Sequence, residues 1–308
     1  MRSAFFSSLL NLAAEDESIF LLTGDVGFGV FEPFQESYPD RYINVGVAEA
    51  NLTGVASGLA LSGKIPFTYS IANFPTLRCL EQIRNDVCYN NANVKIVAVG
   101  GGLAYGPLGA THHATEDISI MRSLPNMVVM TPSDPVIAAK SVALAHAYPG
   151  PVYLRLGRNG ESVLYDDCPP FEIGGSTIIR EGEDIAIIST GGILDNVLKA
   201  SDILSKNGFF PTVLDVHTVK PIDNSTILNF AKTNKNLFTV EEHSIIGGLG
   251  SAVAEVIIDA ALNNDVTLTR IACEDKFSHI VGSQDYMLEN LGLSPEAIAD
   301  RIMLSINT

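Results

Sequence analysis

Short β-forming runs and helical runs alternate from one end of this 308-residue chain to the other, and this alternation restricts the fold more than any other feature. A strand followed by a helix and a second strand closes most readily as a parallel pair with the helix packed on the sheet. In the first half, strand-type runs fall at 19–22, 42–45, 65–69, 94–99, 127–131 and 152–156, with helical runs at 50–61, 75–90, 115–123 and 135–147 between them. Asp166-Asp167-Cys168-Pro169-Pro170, followed by Gly174-Gly175, then breaks the rhythm as a linker would. Beyond it the strands resume at 185–189, 212–216, 237–240 and 267–272, and the helices at 194–205, 225–233, 251–262 and 295–305. The expected class is α/β, with two doubly wound domains at 1–165 and 181–308, the second smaller, joined by a linker at 166–180. Ligands in such folds sit at the carboxyl ends of strands, so the loops that follow strands are the places to search.

A net charge of −16 with no basic stripe argues against nucleic acid as a partner. Any phosphorylated ligand must be small and held by a few local cations. Cys79, Cys88, Cys168 and Cys273 lie far apart with no C-x-x-C spacing, so neither a zinc site nor a disulfide framework is indicated, and the reduced cytoplasm is the expected compartment. The first ten residues read as an amphipathic helix and not as a signal peptide, and no apolar run approaches the length of a membrane span.

One acid stands in unusual company. Glu49 follows Tyr42-Ile43-Asn44-Val45-Gly46-Val47-Ala48, where an apolar strand runs into a helix of small residues. A carboxylate desolvated there without a partner costs several kcal/mol or more, so it is held protonated or committed to a specific partner. The alternative is a first-turn acid facing water and favoured by the helix dipole. After the run at 94–99, the glycine-rich segment from Gly100 to Gly109 leads to Thr111-His112-His113. Glycines permit close approach of backbone to a ligand, and the histidines suit hydrogen bonding to a polar substrate better than metal binding, since adjacent residues diverge and no third ligand is suitably spaced. Arg155 and Arg158 leave a strand at its carboxyl end and could bind a phosphate, or pair with one of the 35 acids. Phe74 offers either a stacking face or a core side chain. Gly247-Gly248-Leu249-Gly250 lacks the third glycine of a dinucleotide loop and reads as a turn that starts a helix.

Taken together, Asp40 to Glu49, Gly109 to His113 and Leu124 to Asp134, continuing to Gly150-Pro151-Val152-Tyr153-Leu154-Arg155, resemble the pyrimidine-binding domain of transketolases and deoxyxylulose-phosphate synthases. Ser189-Thr190-Gly191, Val219-Lys220-Pro221-Ile222-Asp223 and Glu241-Glu242-His243 through Gly250 resemble the C-terminal domain of the same family. The resemblance implies thiamine diphosphate as cofactor, with Glu49 hydrogen-bonding its pyrimidine ring nitrogen, Phe74 stacking on that ring, and Ile71 and Asp25 nearby. It also implies that His112 and His113 contact substrate, and that Arg158 and Arg2 contact a phosphate. Leu108 replaces an aspartate that reads a donor hydroxyl, and Gly100 stands where transketolases carry a histidine, so ordinary pentose-phosphate substrates are not implied.

No G-D-G…N motif for magnesium and the diphosphate is found. The chain therefore looks like the C-terminal subunit of a split transketolase, with a partner chain supplying that motif and the magnesium ligands. Self-dimerisation through helix 50–61 and a heterotetramer are expected on the same resemblance, with transfer of a two-carbon ketol unit from a phosphorylated ketose to an aldehyde or aldose acceptor, as part of carbohydrate metabolism. The competing readings are the β subunit of a 2-oxo-acid dehydrogenase and a non-catalytic partner subunit.

Overall fold

The computed structural model describes residues 1–183, 185–262 and 266–306. In chain order the strands of the first half are β1 (Ile19–Thr23), β2 (Tyr42–Asn44), β3 (Ile65–Ile71), β4 (Lys95–Val99), β5 (Val128–Met130) and β6 (Val152–Leu156). Those of the second half are β7 (Thr177–Arg180), β8 (Ile185–Thr190), β9 (Pro211–Asp215), β10 (Thr218–Lys220), β11 (Asn236–Ser244) and β12 (Thr267–Cys273). They form two sheets, in the orders β10-β5-β6-β4-β3-β1-β2 and β12-β11-β8-β9-β7. Every neighbouring pair is parallel except β10 against β5 and β7 against β9. The α/β class expected from the alternation is the class observed.

Parallel strands covered on both faces read as continuous apolar runs, and β4 shows this with all five residues buried. Its one polar member, Lys95, places Nζ 2.7 Å from the carbonyls of Tyr148 and Gly150, and burial pulls its pKa down to about 7. On one face of the first sheet, helices Arg2–Glu15 and Pro135–Ala147 bring Phe5, Leu9 and Val142 onto Phe67, Val97 and Leu154. On the other, helix Glu49–Leu61 and the segment after β3 cover Leu22, Ile96 and Tyr153. Helices Leu194–Lys206 and Pro295–Ile306 close one face of the second sheet; Asn224–Thr233 and Leu249–Asp259 close the other.

Several elements differ from the expectation. The helix expected at 75–90 is instead Phe74–Leu77, Leu80–Gln82 and a π-helical turn at Ile83–Cys88. Side chains enter the backbone ladder there: Ser57 donates to the Asp86 carbonyl, and Asn90 donates to those of Asn85 and Asp86. Residues 177–180, expected as linker, form β7. Strand β10 joins the first sheet although it lies in the second half, and helix Gln284–Asn290 was not expected at all. Helix Leu249–Asp259 does begin at the glycine turn, and Glu241, a few residues before it, accepts from the Leu249 and Gly250 amides at 2.7 and 2.8 Å.

Buried polar contacts bind the two halves together. Arg155, buried at the end of β6, donates through Nε to Asp117 at 2.7 Å and through Nη2 to the carbonyls of Ala114 and Glu242 at 3.0 Å. Of the two roles open to Arg155, the structure gives the ion pair. Ser133 and Tyr165 both donate to the Asp215 carboxyl, at 2.6 and 2.9 Å, and burial lifts that carboxyl to about 7. No helix among the described residues is long and apolar enough to cross a membrane.

Candidate active site

The loops leaving β1, β2, β3, β4 and β6 gather at the carboxyl edge of the first sheet. Glu49 opens helix Glu49–Leu61, four residues beyond Val45, and is only 3% exposed. Its Oε2 lies 3.2 Å from Nη1 of Arg78, whose side chain is half in solvent. Its Oε1 is buried with no hydrogen-bond partner among the described residues. The outward-facing, first-turn alternative is thereby excluded, and the commitment to a specific partner is met by Arg78. The buried Ser70 hydroxyl close by is likewise unpartnered among the described residues. Gly24, on the exit from β1, faces both groups, with room for nothing larger than a methyl before contact.

Arg78 also lies over the Phe74 ring, 4.1 Å from its centroid, and Phe74 meets His112 edge to face at 5.1 Å. Burial first, then the charges of Arg78 and His113, hold the His112 imidazole below its usual pKa, so it is predominantly neutral at pH 7. Its Nδ1 pairs with the Thr111 hydroxyl at 3.0 Å. On its other side stands Tyr105, with ring centroids 6.3 Å apart, and the Arg158 guanidinium lies 4.6 Å over the Tyr105 ring. Arg2 is close enough for its charge to act on both Tyr69 and Tyr105, opposing the upward push that burial gives those phenols.

Of the residues singled out from the sequence, Glu49, Phe74, His112 and Arg158 thus form one connected group through Arg78 and Tyr105, with Arg2 within electrostatic reach of Tyr105. Asp25 stands beside it, exposed and at positive φ, accepting from Asn44 at 3.0 Å while Asn44 in turn accepts from the Gly46 amide. Ile71 ends β3, half-buried. His113 departs from the group: it is buried, with Nε2 3.4 Å from the Gly106 carbonyl. Sequence reasoning missed Arg78 and Tyr105. The signal it could have used was a cation four residues after Phe74 in an acidic chain, and a lone aromatic inside a glycine-rich loop.

The group has the parts that an aminopyrimidine requires: a buried carboxyl oxygen unpartnered among the described residues, an aromatic face, and an edge open to solvent. Thiamine diphosphate fits these residues through its pyrimidine ring. Among the described residues no three or more of His, Cys, Asp or Glu are placed to hold a metal ion. A cavity of about 370 Å³ lies between the two sheets, lined by Gly101, Arg155, Glu161, Gly191 and Glu242, and neither Glu49, Phe74 nor His112 lines it. The candidate site is an open face and not this cavity.

The two-domain α/β fold and the residues gathered at this face suit the pyrimidine end of thiamine diphosphate. Sequence profiles agree: "Transketolase, pyrimidine binding domain" matches residues 1–160 and "Transketolase, C-terminal domain" matches residues 174–298. The chain belongs to the transketolase family. It is 42% identical over 306 residues to a Methanocaldococcus jannaschii protein provisionally described as a transketolase C-terminal section, covering 98% of this chain and 95% of that one. It is 38% identical to one of the subunits of apulose-4-phosphate transketolase from Actinobacillus succinogenes, covering 89% of this chain and 88% of that one. Among solved structures, a split-gene transketolase described as an inactive beta4 tetramer superposes with a TM-score of 0.89 at 36% identity, covering 99% and 97% of the two chains.

Proposed function

We propose that this chain is the C-terminal subunit of a split transketolase, a transferase that moves a two-carbon ketol unit from a ketose to an aldehyde or aldose at a site completed by a second polypeptide. The observation that carries this reading is Glu49, a buried carboxyl with one oxygen tied to Arg78 and the other unpartnered among the described residues. When bound, thiamine diphosphate supplies the nucleophilic carbon that bears the ketol unit. Glu49 Oε1 would hold a proton against the pyrimidine ring nitrogen, Phe74 would stack on the ring, and Ile71 and Asp25 would border it. His112, being neutral, can donate to or accept from the substrate oxygen nearest the reacting carbon. Arg158 and Arg2 place two cations where an anionic end of a sugar would lie, and His113 shapes the loop from behind. The Actinobacillus relative is named for apulose-4-phosphate, a phosphorylated compound, which agrees with such an end.

The diphosphate and magnesium fall to the partner chain, which would carry the G-D-G…N motif. Phe28, Val47, Leu77 and Leu108 are exposed on the same loops as the site, an apolar rim suited to burial by another subunit. Helix Glu49–Leu61 exposes Gly54 and Gly58, with nothing near either among the described residues, so two copies can bring their backbones close; the beta4 assembly of the solved relative supports self-association. A heterotetramer follows as the working species, in the reducing cytoplasm that four free cysteines suit. The relatives favour this reading over a 2-oxo-acid dehydrogenase β subunit or a non-catalytic subunit.

Mixing the chain with a partner bearing the motif, magnesium and thiamine diphosphate, and then assaying ketol transfer, tests the proposal. Turnover by the mixture and none by either chain alone is expected. Turnover by this chain alone, or only with a lipoyl-carrier protein, refutes it.

A further inference from the structure

Tyr105 stands where three elements of the site meet. Strand β4 leaves the sheet at Gly100 with φ of +80°, and the loop folds back until the Tyr105 ring lies over that glycine. A methyl group at position 100 would collide with Cδ2 and Cε2 of the ring. The ring therefore fills the whole space a side chain there would use. It is only 8% exposed. One flank looks toward the His112 imidazole at 6.3 Å, and the Arg158 guanidinium covers a face at 4.6 Å. The next residue pins it in place: Gly106 packs so closely on the Gly282 carbonyl that a side chain there would collide, and its own carbonyl faces His113.

We infer that Tyr105 is a specificity-determining residue of the sugar site, forming the wall between the imidazole that meets the reacting carbon and the guanidinium that meets the anionic end. This rests on the ketol-transfer reading. The wall limits how much chain fits between those two groups, so the site takes shorter sugar phosphates in preference to longer ones. A rigid aromatic in that place acts by excluding atoms, and exclusion of one or two carbons is worth roughly 10- to 200-fold in kcat/KM.

The test uses the reconstituted complex with glyceraldehyde phosphate and ribose phosphate as acceptors and one common donor. Tyr105→Leu is expected to shift the kcat/KM ratio toward ribose phosphate by about tenfold or more, chiefly through the KM of the longer acceptor. Tyr105→Phe, which keeps the ring, is expected to hold the ratio within about threefold. Tyr105→Met serves in place of Tyr105→Leu if the latter melts below the assay temperature. A ratio that stays put in the opened variants, or moves equally in Tyr105→Phe, overturns the inference while leaving ketol transfer intact. Absence of transfer by the wild-type complex overturns both. Thermal unfolding gives a second readout without turnover: Gly100→Ala should destabilise the Tyr105 chain more than the Tyr105→Leu chain. The left-handed strain at 100 is common to both backgrounds and cancels, so equal losses would place the ring elsewhere.

Discussion

Replacing Glu49 by glutamine separates chemistry from folding, because the structure sets the two effects at different sizes. The substitution keeps shape and leaves an amide oxygen to accept from Arg78, now without charge. Losing the attraction to Arg78 opposes losing the desolvation of a buried carboxylate. Since the Arg78 side chain is half in water, that attraction is strongly screened, and the two changes leave folding stability within about 1 kcal/mol of wild type. Catalysis loses the carboxyl that would hydrogen-bond the pyrimidine ring nitrogen. A positioned acid of this kind contributes about 10²- to 10⁴-fold, which corresponds to about 2.7–5.4 kcal/mol of transition-state stabilisation. The assay is ketol transfer from a ketose to an aldose by the reconstituted complex, alongside thermal unfolding and sedimentation of the same preparation. The expected result is a complex that assembles and melts normally but turns over at least a hundredfold more slowly. Turnover within about tenfold of wild type, with cofactor bound, would refute the role given to Glu49.

Arg78→Ala should raise the His112 pKa, because the guanidinium charge is one of the influences holding it down; an imidazole NMR titration that stands still or falls would contradict the geometry. The same variant should lose about 1–2 kcal/mol of stability by stranding a buried carboxyl, read by denaturant unfolding. Burial lifts Asp215 from 3.8 to about 7, so between those values the folded state holds a proton that the unfolded chain releases, and stability falls as pH rises from 4 to 7. Asp215→Asn should flatten that slope, whose full span is at most about 4 kcal/mol, and an unchanged pH profile would locate the titration elsewhere. Gly58→Glu, on the exposed face of helix Glu49–Leu61, should dissociate copies of the chain in sedimentation, and an unaltered assembly would assign the contact to another face.

The parts of this molecule that sequence exposes are those governed by local period and by strong local preference. β4 was legible as a largely apolar run and β6 as a β-forming one, and Glu49 as an acid between a strand and a helix of small residues. The parts that stayed hidden depend on contacts between distant residues. Thr218 and Lys220 of β10 pair with β5 because this stretch of the second half returns to the first sheet. Within the π turn at Ile83–Cys88, the Asp86 carbonyl takes a hydrogen bond from Ser57, which lies on another helix. Arg78 and Tyr105 were missed for a related reason: their neighbours, Glu49, His112 and Arg158, come from other loops. His113, adjacent to His112 in sequence, turns the other way because consecutive side chains diverge.

The crossing of β10 into the earlier sheet has a consequence for biosynthesis. A ribosome releases the β5 edge long before the segment that covers it, so the nascent first half carries an open row of amides and carbonyls able to pair with any other strand. A fragment ending before Thr218 retains that hazard permanently, whereas the whole chain seals it with its own later residues.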